Sequence, residues 1–230
     1  MEVTIISYTK DPDKVCASAA FTSWKKHSTK ELFEELNEKE RNDFLKMVIG
    51  FGHLSVTEHA NFTFSVSGIS RACSHQLVRH RMASYTQQSQ RYVKFKKDEI
   101  EYVTPKTIEK SKFHPEYKEM MVKIAEFYEK MLNAKIPAED ARYIVPNAAF
   151  TNLTVTMNAR ELRHFFALRL CERSQWEIKE MAQRMLSEVK KVAPVLFDDA
   201  GIQCELIGYC PEGSLSCGKY PTKEKALGKK

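Results

Sequence analysis

In Asn61-Phe62-Thr63-Phe64-Ser65-Val66-Ser67, polar and apolar residues alternate strictly. Because successive side chains of a β-strand point to opposite faces, this alternation predicts a strand with one buried face. Leu153, Val155 and Met157 alternate with polar residues in the same way and predict a second strand. A sheet with one covered face is typical of antiparallel or mixed pairing. The two strands therefore predict an α+β fold, in which helices flank an antiparallel or mixed sheet.

Helical periodicity and capping residues surround these strands. Apolar spacing predicts helices over residues 11–26, 39–51, 69–81, 115–132 and 137–144. Asn158 with Glu161, and Ser174 with Glu177, have the spacing of capping boxes and predict the starts of two more helices. Shorter strands are predicted over 3–7 and 102–104. Residues 84–91 are polar and aromatic without a period, which predicts a loop.

Composition limits the class of protein. The chain has 230 residues, of which 43% are hydrophobic and 29% charged, so we expect one globular domain over 1–230. A flexible basic tail is predicted from about residue 219. No apolar run approaches the roughly 20 residues of a membrane helix, and the N-terminus lacks a basic leader, so a cytoplasmic protein without a membrane partner is expected. The net charge of +6 is compatible with nucleotides, phosphates or nucleic acid as partners.

A dense group of polar donors occupies Arg79-His80-Arg81-Met82-Ala83-Ser84-Tyr85-Thr86-Gln87-Gln88-Ser89-Gln90-Arg91. The planar fork of arginine matches phosphate, and serine and glutamine can bind a base or a ribose. The alternative is a solvated basic face, but apolar residues lie on both sides of the segment. A binding segment for a phosphorylated heterocycle is therefore predicted. Ser84 and Ser89 lack the Gly-x-Ser-x-Gly pattern of a nucleophile and are predicted to bind ligand.

A second polar group lies on the helix predicted after Asn158. Arg160 and His164 are four residues apart and should share a face, whereas Arg169 lies about half a turn away from Arg160. Much of the remaining helix is apolar. These features predict a helix placed between two sites, as at a subunit interface of a symmetric oligomer.

Two groups raise the question of a metal site. His53 and His59 are six residues apart and do not form His-Glu-x-x-His, so hydrogen bonds to a cofactor are favoured there over metal ligation. Cys204, Cys210 and Cys217 lack the close Cys-x-x-Cys pairs of zinc sites. No metal is predicted, and the role of these cysteines stays open.

The segment 79–91 matches Arg-His-Arg-x-x-Ser-x-x-x-x-Ser-x-Arg in full, and in this it resembles the flavin-dependent thymidylate synthases. Gly52-His53, Glu58-His59, Ala141–Pro146, Asn158-Ala159-Arg160 and Gln175-Trp176-Glu177 extend the resemblance over residues 50–180 or so. The family resemblance implies an α+β homotetramer with active sites shared between subunits. It also implies conversion of dUMP to dTMP, with carbon from 5,10-methylenetetrahydrofolate and reducing equivalents from NADPH through FAD.

The resemblance also implies roles for individual residues. Arg169 would be catalytic, polarising the uracil in place of a nucleophilic cysteine. Cofactor contacts would come from His53, Ser55, Glu58, Arg79, His80, Arg81, Asn158, Arg160 and His164. Substrate contacts would come from Gln76, Arg79, Gln87, Gln88, Ser89, Gln90, Arg91, Arg142 and Arg169.

Two positions depart from some family members. Gln87 replaces a glutamate and cannot ionise, so it is given no proton-transfer role, and His164 replaces an asparagine. Two other functions compete with the enzyme. A nucleic-acid-binding module could use the same arginines with Phe62 and Phe64, and a metal-dependent nucleotide hydrolase would need carboxylates and histidines that converge. No nucleic-acid partner is expected.

Overall fold

The computed structural model describes residues 1–93 and 101–228. Its sheet has the strand order β1-β2-β4-β3, with β1 at Glu2–Tyr8, β2 at Asn61–Ser70, β3 at Ala83–Gln87 and β4 at Phe150–Asn158. Thr63 contacts Thr156 through their hydroxyls at 3.0 Å, and the Gly68 amide donates to the Asn152 side chain at 3.3 Å. Residue numbers thus rise along β2 as they fall along β4, so this pair is antiparallel. The predicted α+β class with an antiparallel sheet is confirmed.

Helices make up most of the remaining regular structure. In chain order they are α1 (Pro12–Phe21), α2 (Thr29–Glu35), α3 (Glu38–Gly50), α4 (Arg71–Leu77), α5 (Lys106–Glu109), α6 (His114–Asn133), α7 (Ala138–Ala141), α8 (Ala159–Arg169), α9 (Trp176–Val192), α10 (Gln203–Ile207) and α11 (Lys223–Ala226). Short 3-10 turns cover Leu54–His59, Arg142–Ile144 and Gly213–Leu215. Within the described ranges, none of these helices is long and apolar enough to cross a membrane.

The two alternating segments form strands, as predicted. Phe62, Phe64 and Val66 on β2 are fully buried, and the apolar positions of β4 are buried as well. Each large apolar side chain contributes roughly 1.5–3 kcal/mol when it is removed from water. Apolar and polar residues alternate in these strands because one face of the sheet is buried.

Several sequence predictions are wrong. The helix predicted to 81 ends at Leu77, and residues 102–104, predicted as a strand, form an isolated bridge between Tyr102 and Ala149. Residues 83–87, most of which were predicted as loop, form β3, whose alternate residues are only half-buried and so leave no apolar pattern. The helix predicted from 69 begins at Arg71, because β2 continues to Ser70, whose hydroxyl accepts the Cys73 amide at 3.0 Å. The helix predicted to 26 ends at Phe21, and a capping box at Ser28 begins α2, which the prediction missed.

The two predicted helix caps have different outcomes. Asn158 caps α8, because its side chain accepts the Glu161 amide at 2.9 Å. The next cap is Gln175, one residue after the predicted Ser174, and it accepts the Ile178 amide at 2.9 Å. The Ser174 hydroxyl instead donates to the Leu168 carbonyl at 3.0 Å.

The chain groups into two compact units. The first contains Met1–Glu2, Ser65–Arg79 and the described part of Tyr85–Thr154, and the second contains Val3–Phe64, His80–Ser84 and Val155–Lys230 as far as it is described. In the second unit, the buried Asp13 carboxylate accepts the backbone amides of Val195 at 3.1 Å and Leu196 at 3.0 Å. Burial raises the pKa of Asp13, and the two amides oppose this rise. The contact ties α1 to the chain that follows α9.

Candidate active site

The two units divide the predicted site residues between them. The first unit holds Gln76, Arg79, Gln87, Gln88, Ser89, Gln90, Arg91 and Arg142. The second unit holds His53, Ser55, Glu58, His80, Arg81, Asn158, Arg160, His164 and Arg169. Most residues predicted to contact dUMP therefore lie in one unit, and most residues predicted to contact FAD lie in the other.

Two predicted substrate arginines of the first unit meet at Glu139. The Arg91 guanidinium pairs with the Glu139 carboxylate at 2.9 Å, and Arg142 Nε donates to the Glu139 backbone carbonyl at 3.1 Å. Arg91 and Glu139 are both about half exposed, so their ion pair contributes little to stability and is easily exchanged. An arriving phosphate could therefore replace this carboxylate.

Arg71 joins these arginines, although the sequence did not indicate it. Its Nη1 donates to the Gln88 carbonyl at 3.4 Å. Burial and the nearby Arg142 charge lower the pKa of Arg71, because each disfavours its cationic form. A bound anion would offset the repulsion between Arg71 and Arg142. No local signal could have identified Arg71, since it lies outside the signature segment and its partners are distant in sequence.

Gln87 is held in one orientation by two hydroxyls. Its amide nitrogen donates to Ser74 Oγ and to Thr151 Oγ1, both at 3.0 Å. Because the Ser74 hydroxyl itself donates to the Arg71 carbonyl at 2.9 Å, its oxygen is the acceptor for Gln87. Both amide hydrogens of Gln87 are thus used, and its side chain can offer a ligand only the carbonyl oxygen.

Ser89 forms the turn that follows β3. Its Oγ accepts the Arg91 amide at 3.2 Å, and its carbonyl accepts the Val93 amide at 3.0 Å. The hydroxyl oxygen is thereby engaged as an acceptor, and the hydroxyl proton can be donated to a ligand. Gln90 is half-buried in the same turn, whereas Gln76 and Arg79 are exposed at the end of α4 and just beyond it.

A cavity of about 650 Å³ in the second unit contains four of the predicted cofactor residues. It is lined by Leu54, Glu58, Met82, Asn158, Arg160, Glu161, Arg163, His164, Ala167, Leu168, Gln203, Leu206 and Ile207. Arg160 pairs with Glu58 at 2.5 Å. Arg160 and His164 line the same cavity, which confirms that they share a face of α8. The cavity combines six apolar side chains with charged and polar groups, which suits a small molecule that has both apolar and charged parts.

Arg169 does not line this cavity but contacts the buried His80. Arg169 Nε donates to His80 Nε2 at 2.9 Å, and His80 Nδ1 lies 3.1 Å from Glu161 Oε1. Because Arg169 can only donate, Nε2 must accept and the proton of the neutral ring must be on Nδ1. Glu161 therefore fixes the tautomer of His80, which in turn orients Arg169. The Glu161 side chain, expected to complete a capping box, contacts His80.

Burial, with the charges of Arg169 and His164, lowers the pKa of His80 to about 4. The unfolded chain then binds a proton between pH 6.5 and 4 that the folded chain does not bind. We expect this group to reduce the free energy of unfolding by about 2 kcal/mol between pH 8 and pH 5. Urea unfolding at both pH values would measure it, with His80→Asn as the comparison. An equal decrease in both proteins would contradict the assignment.

Five predicted cofactor residues do not line the cavity: His53, Ser55, Arg79, His80 and Arg81. His53 is exposed beside Leu54, and its ring meets Phe51 edge-on at 6.4 Å. Across residues 1–93 and 101–228, no three His, Cys, Asp or Glu side chains are arranged to hold a metal ion.

Comparison with known proteins gives one consistent result. The family model described as thymidylate synthase complementing protein matches residues 4–195. A flavin-dependent thymidylate synthase from Geobacter sulfurreducens is 49% identical over 220 residues, covering 95% of this chain and 94% of the relative. One from Pyrococcus furiosus is 45% identical over 223 residues, covering 94% and 91%.

Solved structures are similar as well. A crystal structure of the Helicobacter pylori flavin-dependent thymidylate synthase, complexed with FAD and dUMP, has a TM-score of 0.70 at 24% identity. The match covers 87% of this chain and all of that chain, and it supports the fold alone. The family model and the near-full-length relatives go further: the chain belongs to the flavin-dependent thymidylate synthase family.

Proposed function

We propose that this chain converts dUMP to dTMP, with 5,10-methylenetetrahydrofolate as carbon donor and NADPH as reductant through bound FAD. The observation that carries the proposal is the contact between Arg169 and His80. It provides an oriented cation beside the signature segment of a chain that belongs to this family. The reaction needs such a cation because carbon 5 of uracil is a poor nucleophile.

Electrostatic activation suits the residues around the signature segment. Cys73, the cysteine nearest to it in sequence, is fully buried within α4 and cannot add to a substrate. Arg169 would disperse the negative charge that develops on the uracil ring, and the neutral His80 would hold it without adding a competing charge. Preorganised charge of this kind is often the largest catalytic contribution.

The arginines of the first unit suit the phosphate of dUMP. We propose that Arg71, Arg91 and Arg142 bind this phosphate, because planar guanidinium groups form bidentate hydrogen bonds with phosphate. The Gln87 carbonyl oxygen can accept a hydrogen bond from the N3–H of uracil. Both amide hydrogens of Gln87 are already donated to protein hydroxyls, so its carbonyl oxygen is the group that is left to bind the base.

The cavity of the second unit has the chemistry expected for part of the FAD. Arg160 and His164 supply hydrogen-bond donors for its phosphates, and the apolar wall suits a ring system. Asn158 and Glu58 complete the polar edge. Reduced FAD, when bound, supplies the hydride for the new methyl group. The roles of His53, Ser55, Arg79, His80 and Arg81 toward FAD stay predictions from the resemblance.

We propose a homotetramer in which subunits share active sites. Arg160 and His164 line the cavity, whereas Arg169 does not line it and contacts His80. α8 therefore has proposed ligand-binding groups on two of its faces. Light scattering of the FAD-loaded protein should give the mass of four 26.6 kDa chains. A monomer would contradict shared sites.

Three further expectations stay predictions from the sequence. They are the single domain, the flexible tail from about residue 219 and the cytoplasmic location.

Two measurements test the activity. Purified protein should show the yellow colour and visible absorption of bound flavin. With NADPH and the folate, it should release tritium from dUMP labelled at carbon 5. Colourless protein that does not bind FAD on reconstitution would refute the proposal, as would steep salt-dependent binding to polynucleotides in place of turnover.

We expect Ser89→Ala to weaken dUMP binding more than it slows the chemical step. The substitution removes one hydroxyl donor and the cap of the Arg91 amide, and a neutral hydrogen bond contributes about 1 kcal/mol. The dissociation constant of dUMP should therefore rise about fivefold. Isothermal titration would show this rise, with Ser187→Ala on α9 as a control, and unchanged affinity would refute the role.

A further inference from the structure

The C-terminal segment, residues 201–228, has an unusual interior. Its only buried side chains are Cys204 and Cys210, which are 8% and 4% exposed. Four of its large apolar side chains are exposed instead: Leu206, Ile207, Leu215 and Leu227, from 39% at Ile207 to 58% at Leu227. Short segments with little hydrophobic core usually depend on a cross-link or a metal. The two buried thiols therefore lie where a cross-link would stabilise this segment.

The end of α10 and a turn separate the two cysteines. α10 begins one residue before Cys204 and ends at Ile207, and its C-cap is Gly208, which has a φ of 78°. The Gly208 amide donates to the Cys204 carbonyl at 2.9 Å. The chain then turns so that the Cys210 amide donates to the Pro221 carbonyl at 2.8 Å. In this arrangement the Cys204 thiol forms a hydrogen bond with Cys210.

The surroundings of the two sulfurs differ. The Ser216 hydroxyl, then the Glu212 amide and the Cys204 thiol, donate to Cys210 and lower its pKa. Burial, followed by the contact with Cys210, raises the pKa of Cys204 to about 11. The thiolate is the reactive form of cysteine, so Cys210 is the better nucleophile and Cys204 the protonated partner.

We propose that Cys204 and Cys210 form a redox-sensitive dithiol whose disulfide closes the turn after α10. In the first step, the Cys210 thiolate attacks a low-molecular-weight disulfide, whose S–S bond breaks and releases one thiolate. The Cys204 sulfur, after losing its proton, then attacks Cys210 and releases the second thiolate. The protein loses two electrons and two protons, and the small disulfide is reduced to two thiols.

A pair fits the contacts better than a metal centre. Cys171 and Cys217 are close enough to affect the Cys204 thiol electrostatically. Yet no three potential ligands in the described ranges are arranged to hold a metal ion. Cys217 is exposed and Cys171 is only half-buried, so neither shares the interior position of the pair.

The disulfide would also act on the proposed flavin cavity. Leu206 and Ile207 lie between the two cysteines and line that cavity together with Arg160. Oxidation would restrain this part of its wall. This consequence rests on the proposed function, whereas formation of the disulfide does not.

The test uses full-length protein loaded with FAD and incubated with oxidised glutathione. After acid quenching, alkylation and mass spectrometry, we expect a peptide that joins Cys204 to Cys210, with the thiols of both residues lost. Cys204→Ser should retain glutathione on Cys210, whereas Cys210→Ser should leave Cys204 unmodified. Cys217→Ser is the matched control and should form the disulfide as the wild type does.

Limited proteolysis after residue 200 should be slower in the oxidised wild type than in the reduced protein. A disulfide to Cys171 or Cys217, retention of all six thiols, or stoichiometric zinc that protects the thiols until a chelator is added would each overturn the dithiol. The FAD dissociation constant should differ between the two forms, and equal values would overturn the link to the cavity. Failure of both forms to bind FAD would count against the proposed function, while the peptide map would still decide the disulfide.

Discussion

Arg169→Ala should abolish dTMP formation and leave FAD binding largely intact. The substitution removes the guanidinium that His80 orients through a 2.9 Å hydrogen bond. Loss of one preorganised donor in an active site typically costs a factor of 10² to 10³ in kcat, and here the donor also carries the charge. FAD should still bind because Arg169 does not line the cavity that holds Arg160 and His164. Tritium release gives the rate, and visible absorption gives the flavin content.

Two further variants sharpen this test. Arg184→Ala removes an exposed arginine that pairs with Glu180 four residues earlier, so it should retain wild-type turnover. Arg169→Lys keeps the charge but loses the planar fork, and it should recover part of the activity. Wild-type turnover in Arg169→Ala, or loss of flavin together with activity, would remove Arg169 from the catalytic role.

Arg142→Ala should raise KM for dUMP by one to two orders of magnitude with a smaller effect on kcat. Hydrogen bonds to charged groups contribute roughly 1.5–3 kcal/mol, and a phosphate contact lies away from the reacting carbon. The loss should be confined to phosphorylated substrate. Deoxyuridine, which has no phosphate, should therefore react equally poorly with the variant and with the wild type.

Lys123→Ala provides the control for this second prediction. Lys123 lies in the same unit on α6 and pairs with Glu119 on the exposed face of that helix, so its loss should leave KM unchanged. A deoxyuridine rate that falls along with the dUMP rate would place Arg142 at the reacting end of the substrate. Mixing inactive Arg169→Ala protein with Arg142→Ala protein should restore some activity if, in the proposed oligomer, the two residues of one site come from different subunits.

The elements that the sequence predicted well are those whose pattern reflects burial. β2 and β4 alternate because one face of each is covered, and α3 and α6 follow their predicted bounds to within one residue. β3 was missed because its residues are half-exposed, so neither side of the strand is selected to be apolar. Its strand conformation depends on pairing with β4, which is distant in sequence.

The same distinction applies to the candidate site. The signature segment is contiguous, so its residues could be recognised together. Arg71 was missed and Glu161 was assigned to a helix cap, since the partners that define their roles are far away. Glu161 contacts His80, which is 81 positions earlier in the chain. The spacing of neighbouring residues cannot predict a contact between residues that are so far apart in the chain.

The buried Asp13 has a consequence for how the chain folds. Its two backbone partners lie 182 and 183 positions later, so α1 can gain this contact only when nearly the whole chain has been synthesised. Contacts of such long sequence separation slow folding because loop closure precedes any gain in stability. In a nascent chain, α1 can pack early against α2 and α3 through Phe21, Leu32 and Phe44. The Asp13 carboxylate, by contrast, would lack its two amide partners until synthesis passes α9.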